Sequence, residues 1–127
     1  MGQLVEGTCK NCGKKWELRL GYGLMHGRAA DVAALFPSDV RRELPLEEMR
    51  RMDVPWSFAY EPAVCAYCRD IVTVPVLRVG KEGTEYVGGC SVCGGAAERV
   101  PREELEKAKC PDCGQAGLRI RDAGVWD

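Results

Sequence analysis

The chain has 127 residues, with 18 Lys and Arg against 19 Asp and Glu, enough for one modest domain or two very small ones. Residues 1–64 carry nine charges of each sign, and residues 65–127 carry nine basic against ten acidic. That balance leaves no basic arm to grip nucleic-acid phosphates and no acidic tail, and no stretch approaches the ~20 apolar residues of a membrane span.

In chain order, residues 1–8 have neither a basic start nor an apolar run, so no signal peptide is expected there. Met1-Gly2 is followed by Glu6, which fails the myristoylation pattern. After the first motif, Cys9-Lys10-Asn11-Cys12-Gly13, residues 14–20 alternate, with Trp16, Leu18 and Leu20 on one face. A half-buried strand is predicted here, ended by Gly21-Tyr22-Gly23. Residues 24–53 then read as a helical insert. Ala29, Val32, Ala33 and Phe36 form an apolar stripe at helical spacing. Pro37 stops that helix, and Ser38 is the expected N-cap of a second one. Leu46, Met49 and Met52 form the buried side of a third piece, with Glu47 and Glu48 early and Arg50 and Arg51 late, as the helix dipole favours.

Trp56, Phe58 and Tyr60 share a face of the next strand, which leads to Cys65-Ala66-Tyr67-Cys68. Residues 71–79 are a strong strand in which Pro75 marks an edge or a bulge. Residues 80–83 turn the chain, and residues 84–87 return as a strand toward Cys90-Ser91-Val92-Cys93. Residues 101–108 give one or two helical turns before Cys110-Pro111-Asp112-Cys113, and residues 118–121 a last short strand. A Trp at position 126, next to Asp127, is expected to dock onto the body.

All eight cysteines thus fall in CxxC pairs, and with fifteen Gly and only two Phe the chain has little core of its own. A staple is expected. The compartment read from these features is the reducing cytoplasm, where such thiols mean metal rather than disulfides. A CxxC turn points both sulfurs to one side, and two turns make a closed tetrahedral zinc site. The metal ligands are therefore Cys9, Cys12, Cys65, Cys68, Cys90, Cys93, Cys110 and Cys113, holding two structural Zn²⁺. Gly13, Gly94 and Gly114 follow three of the pairs, where the turn needs positive φ; Arg69 stands at the fourth. Iron in a rubredoxin-like site would use the same ligands, whereas a redox CxxC needs a βαβ context that is not visible. Eight thiolates with two divalent ions carry the formal charge from −1 to −5.

Four pairs join two by two in three ways. Sequential pairing (9/12 with 65/68, 90/93 with 110/113) is expected, since only 16 residues then separate the last two pairs. A cross-brace and a nested arrangement are the alternatives. The expected fold is small, α+β and metal-stabilised, with two zinc-ribbon-like modules of short antiparallel strands. The first spans residues 1–79 and carries the helical insert, and the second spans residues 80–127.

CxxC(G) knuckles separated by short strands resemble the zinc-ribbon fold group. More narrowly, Cys9-Lys10-Asn11-Cys12-Gly13, Leu20-Gly21-Tyr22-Gly23, the later knuckles and Trp126-Asp127 resemble a set of small bacterial zinc-ribbon proteins. The resemblance implies zinc at the eight cysteines and carries no established activity.

Other residues have weaker claims. His26 is the only histidine; a loop role is expected rather than that of a fifth ligand or general base. Trp56, Phe58 and Tyr60 are expected to cover the insert rather than stack on bases. Arg41, Arg42, Arg50 and Arg51, interleaved with Glu43, Glu47 and Glu48, read as a solvated face rather than a phosphate site. Met25, Met49 and Met52 fit core filling better than a partner surface. The expected function is that of a non-enzymatic structural zinc protein with a protein partner, the insert being the expected interface. A nucleic-acid-binding ribbon and a zinc sensor are the alternatives, and neither a membrane role nor a small-molecule substrate is evident.

Overall fold

The structure, a computed structural model, describes residues 2–23 and 27–126; what the sequence leads one to expect of Met25, His26 and Asp127 lies outside the described residues. Eight residues that open the described chain, Gly2–Cys9, form strand β1, which the sequence reading left unassigned. Its inward side chain Val5 is fully buried. Lys15–Leu20 is β2 and Leu118–Trp126 is β7, longer than the expected residues 118–121. Both pair antiparallel with β1, giving a three-stranded sheet ordered β2-β1-β7. The Trp16 ring covers Gly7 on the neighbouring strand; a Cβ at Gly7 would stand 2.1 Å from that ring. The small residue is what lets the indole lie flat against the sheet.

The second sheet has four strands, ordered β5-β4-β3-β6. Trp56–Cys65 is β3, Asp70–Val79 is β4, Thr84–Val87 is β5 and Ala97–Arg99 is β6. β3 and β4 pair along ten residues without a bulge. Pro75 is tolerated because its outward carbonyl accepts from Gly88 N–H at 2.9 Å and β5 begins to pair only at Val76. One face packs on α1 (Ala29–Ala33), α2 (Ser38–Glu43) and α3 (Leu46–Met49). Val32, Phe36, Met49, Phe58 and Leu77 form that cluster, with Trp56 and Tyr60 against it. The other face gathers Ala63, Cys65, Val72, Val74, Val76 and Cys90. Val74, Val76 and Leu77 are fully buried, each worth about 1.5–3 kcal/mol. Beside that cluster Arg78 and Arg99 each bridge Glu61 and Glu85, at 2.7–3.3 Å, in a closed ring drawn from all four strands.

Three expectations about local structure change. Met52 is fully exposed rather than buried, because α3 ends at Met49, whose side chain turns inward in its place. Ser38 is the first residue of α2, whose N-cap is Pro37, and no side chain caps it. The helical turns before the last knuckle are a 3-10 helix, Arg102–Lys107, whose Leu105 is buried between the last strand and Val5, Leu18 and Ile71.

Several contacts join the sheets. Gly21 and Tyr60 exchange backbone hydrogen bonds at 3.0 and 2.7 Å. Lys14 Nζ lies 3.8 Å from Asp70 and 3.6 Å from Asp112. Trp126 docks as expected, its indole donating to the Leu20 carbonyl at 2.9 Å. The expected boundary between residues 79 and 80 falls at the turn of the β4–β5 hairpin, whose strands pair with each other.

Candidate metal centres

Each knuckle is a tight turn held by its own backbone, the first two at the ends of β1 and β3. Cys9 N–H donates to the Lys14 carbonyl, Cys90 N–H to that of Gly95, and Cys110 N–H to that of Gln115, all at 2.8–2.9 Å. In the same three turns Gly13, Gly94 and Gly114 donate back to the carbonyl of the first cysteine and hold φ of 79°, 77° and 72°. The second knuckle closes as the last rung of the β3–β4 ladder, Cys65 opposite Asp70. Arg69 occupies the glycine position at φ 49°, the one non-glycine residue with positive φ among the described residues. The turn that the missing Gly left open in the sequence is thus made with positive φ, a conformation that L residues disfavour.

These turns point backbone N–H groups at sulfur. Cys68 N–H reaches Cys65 Sγ, Val92 N–H reaches Cys90 Sγ and Gly95 N–H reaches Cys93 Sγ, each at 3.4 Å. Such bonds favour the thiolate over the thiol.

The knuckles meet in two quartets: Cys9, Cys12, Cys110 and Cys113, and Cys65, Cys68, Cys90 and Cys93. Within each, the four sulfurs lie inside 4.8 Å of one another. Across knuckles, Cys9–Cys113 and Cys12–Cys110 are 3.6 Å apart, Cys65–Cys93 is 3.5 Å and Cys68–Cys90 is 3.9 Å. A tetrahedral ion with metal–sulfur bonds of about 2.3 Å requires sulfurs about 3.8 Å apart. The donor sets therefore fit a four-coordinate, thiophilic divalent ion without rearrangement.

This nested pairing corrects the sequential one. β1 and β7 lie side by side, which carries the first and last knuckles to the same end of one sheet. Closing gaps of 97 and 21 residues instead of 52 and 16 costs under about 1 kcal/mol by the logarithmic loop rule. An antiparallel ladder outweighs that.

Protonation is uneven within each quartet. The Asn11 side chain, and then the Gln115 backbone N–H, lower the Cys113 thiol to about 6. The Cys68 N–H holds Cys65 at about 7. Their neighbours go the other way. Cys93 first, with burial and the other sulfurs, pushes Cys68 up to about 12. At Cys12 the Lys14 N–H pulls down, but burial and three sulfurs still raise it to about 12. A cation entering a quartet meets a sulfur that surrenders its proton readily, Cys113 in the first and Cys65 in the second, and has to displace the proton held by Cys12 or Cys68.

Asn11 and Lys14 belong to the site's surroundings, and sequence reasoning passed over both. Asn11 sits inside a CxxC, where its amide reaches a sulfur of the last knuckle, and Lys14 stands just after a knuckle glycine. Only the nested pairing gives either a role. The aromatic trio covers the insert as expected. Arg41 is exposed and donates to the carbonyls of Ala33 and Phe36 at 3.2 and 2.8 Å, tying α2 to the end of α1. Arg42 and Arg50 are exposed, and Arg51 pairs with Asp53. No helix among the described residues is long and apolar enough to cross a membrane. No protein-family model, curated protein or solved structure matches the chain.

Proposed function

We propose that this chain is a structural zinc protein of the zinc-ribbon kind that acts by binding another protein and not by catalysis. The observation that carries the reading is the pair of all-sulfur quartets at tetrahedral spacing. Four thiolates fill the coordination sphere of zinc and leave no open position for a reacting water. Bound ions would then supply folding energy. Cys9 and Cys110 are buried in the cluster beneath the first sheet, and Cys65 and Cys90 in the cluster under the second, so each quartet is also part of a core.

Native mass spectrometry tests the metal. Two zinc ions per chain are expected, and chelation at neutral pH should abolish the cooperative thermal transition. A reduced, metal-free chain that still melts cooperatively would sink the reading. Iron in place of zinc would keep the structural role and change the ion.

The nucleic-acid alternative has one feature in its favour. Lys15, Arg19, Arg119 and Arg121 lie on the solvent face of the first sheet. Glu6 pairs with Arg121 at 2.7 Å, and Glu17 stands between Lys15 and Arg19, so the face is a mosaic and the protein partner is preferred. Binding to single- or double-stranded probes that falls steeply with salt would reverse that order.

A further inference from the structure

The outer edge of β2 is open. Cys9 N–H bonds to Lys14, and Gly21 exchanges bonds with Tyr60. Backbone groups alternate along an antiparallel strand. Trp16, Leu18 and Leu20 therefore turn their amides and carbonyls toward β1, while Lys15, Glu17 and Arg19 turn theirs outward. β2 ends the order of its sheet, and beyond Gly21 no strand among the described residues pairs with that edge. Such an edge is a template for another strand.

A groove of about 470 Å³ runs along it, lined by residues 15–19, by residues 70–73 of β4, and by Ser91 and Val92. It shares Ser91 with a pocket of about 320 Å³ walled by Leu35, Phe36, Pro37, Tyr60 and Pro75. Val92 is largely exposed at its rim. Trp16 lines the groove as well, and its indole N–H is buried without an acceptor.

We propose that this groove is the partner site and takes an extended peptide segment of another protein, added as a strand to β2. The proposal rests on the protein-binding reading above and names its surface. Alternate residues of the added strand face Lys15, Glu17 and Arg19 on the outer side, which calls for acidic side chains opposite Lys15 and Arg19 and an uncharged one opposite Glu17. The intervening residues face Trp16, Val92 and the apolar pocket, which calls for apolar ones. The ligand is thus a short β-forming segment in which apolar residues alternate with polar ones, acidic at the positions opposite Lys15 and Arg19. A second copy of the chain fits less well. The two-fold register that uses all three outward positions sets Glu17 against Glu17 and Lys15 against Arg19.

Random octapeptides displayed on phage and panned on the full chain loaded with zinc test this. The enriched peptides should alternate apolar and polar residues, acidic ones among the latter, and synthetic copies should protect the Lys15, Glu17 and Arg19 amides from hydrogen exchange. Glu17→Pro removes one outward N–H and leaves the β1 ladder intact; it should weaken binding at least tenfold. Arg19→Glu, a surface change, should shift the selection toward basic residues and keeps the test decisive if the proline variant misfolds. Metal content of each variant reports its fold. Enriched peptides indifferent to both substitutions would overturn the groove and leave a protein-binding role standing elsewhere. A metal-loaded, folded chain that enriches nothing would overturn both, and a dimer that protects the same three amides would replace the peptide with a second copy.

Discussion

The first quartet joins residues 9–12 to residues 110–113 and the second joins residues 65–68 to residues 90–93, so one closes nearly the whole chain and the other a single neighbourhood. Their supports differ accordingly. The second lies at the end of a ten-residue hairpin whose far half is buried under the helical insert. That half has apolar backing of its own and leans least on the metal. The first has no comparable backing. Its sheet has three strands, one face in solvent, and a cluster in which Cys9 and Cys110 are themselves members. In a chain built this way, the metal between distant segments is asked for more than the metal within a hairpin.

Removing one sulfur from each quartet tests that difference. Cys110→Ser should leave one ion bound and cost at least about 3 kcal/mol, as when one partner of a buried charged set is lost. Hydrogen exchange should then show residues 2–20 and 118–126 losing protection while the Phe58–Leu77 half of the hairpin keeps it. Cys93→Ser, at an exposed sulfur, should also release one ion but expose only the ends of β3 and β4 near Cys65 and Asp70. Equal, global loss of protection in both variants would show that the two modules unfold as one and that the comparison has no energetic content.

How much of this was legible beforehand follows the same division. The hairpin half was readable: residues 56–60 and 71–79 alternate or run apolar, and Ala29, Val32, Ala33 and Phe36 announce a stripe that is buried as expected. The knuckle turns were readable because glycine at positive φ has a local cause. β1 was not. Its inward positions include Gly7, which has no side chain because Trp16 from the next strand fills the space, so its periodicity is visible only with β2 in place. The same applies to the quartets. Ligand identity is local in sequence, but which knuckle meets which is decided by β1 lying against β7, a contact between residues more than a hundred positions apart. Loop length, the one criterion available from spacing, discriminates by less than a single ladder contributes.

The link between chain ends can also be weakened without touching sulfur. Trp126 covers Gly2, where a Cβ would stand 2.2 Å from the ring, donates to Leu20 and leans on Tyr60 with ring centroids 6.3 Å apart. Trp126→Ala should cost about 2 kcal/mol, below the usual range for a fully buried Trp because the ring is only partly covered. Both ions should remain, with protection lost at residues 2–5 and 122–126. Thermal melts with metal analysis check this; loss of an ion would mean that the first quartet depends on the strand ends beyond it.

The smallest effect has the opposite sign. Arg69 is held at φ 49°, where the other three knuckles have glycine. Its side chain is exposed and makes no ion pair among the described residues, so nothing there compensates the backbone. Left-handed conformation costs an L residue roughly 1–2 kcal/mol, and glycine returns part of that through the greater freedom of its unfolded chain. Arg69→Gly should therefore stabilise the protein by up to about 1 kcal/mol. The gain should appear in the hairpin and second quartet, as slower zinc loss to a chelator, with the first quartet unchanged. If the substitution instead destabilises, Arg69 is doing something in that knuckle beyond filling the turn, and the second quartet is less self-sufficient than its hairpin suggests.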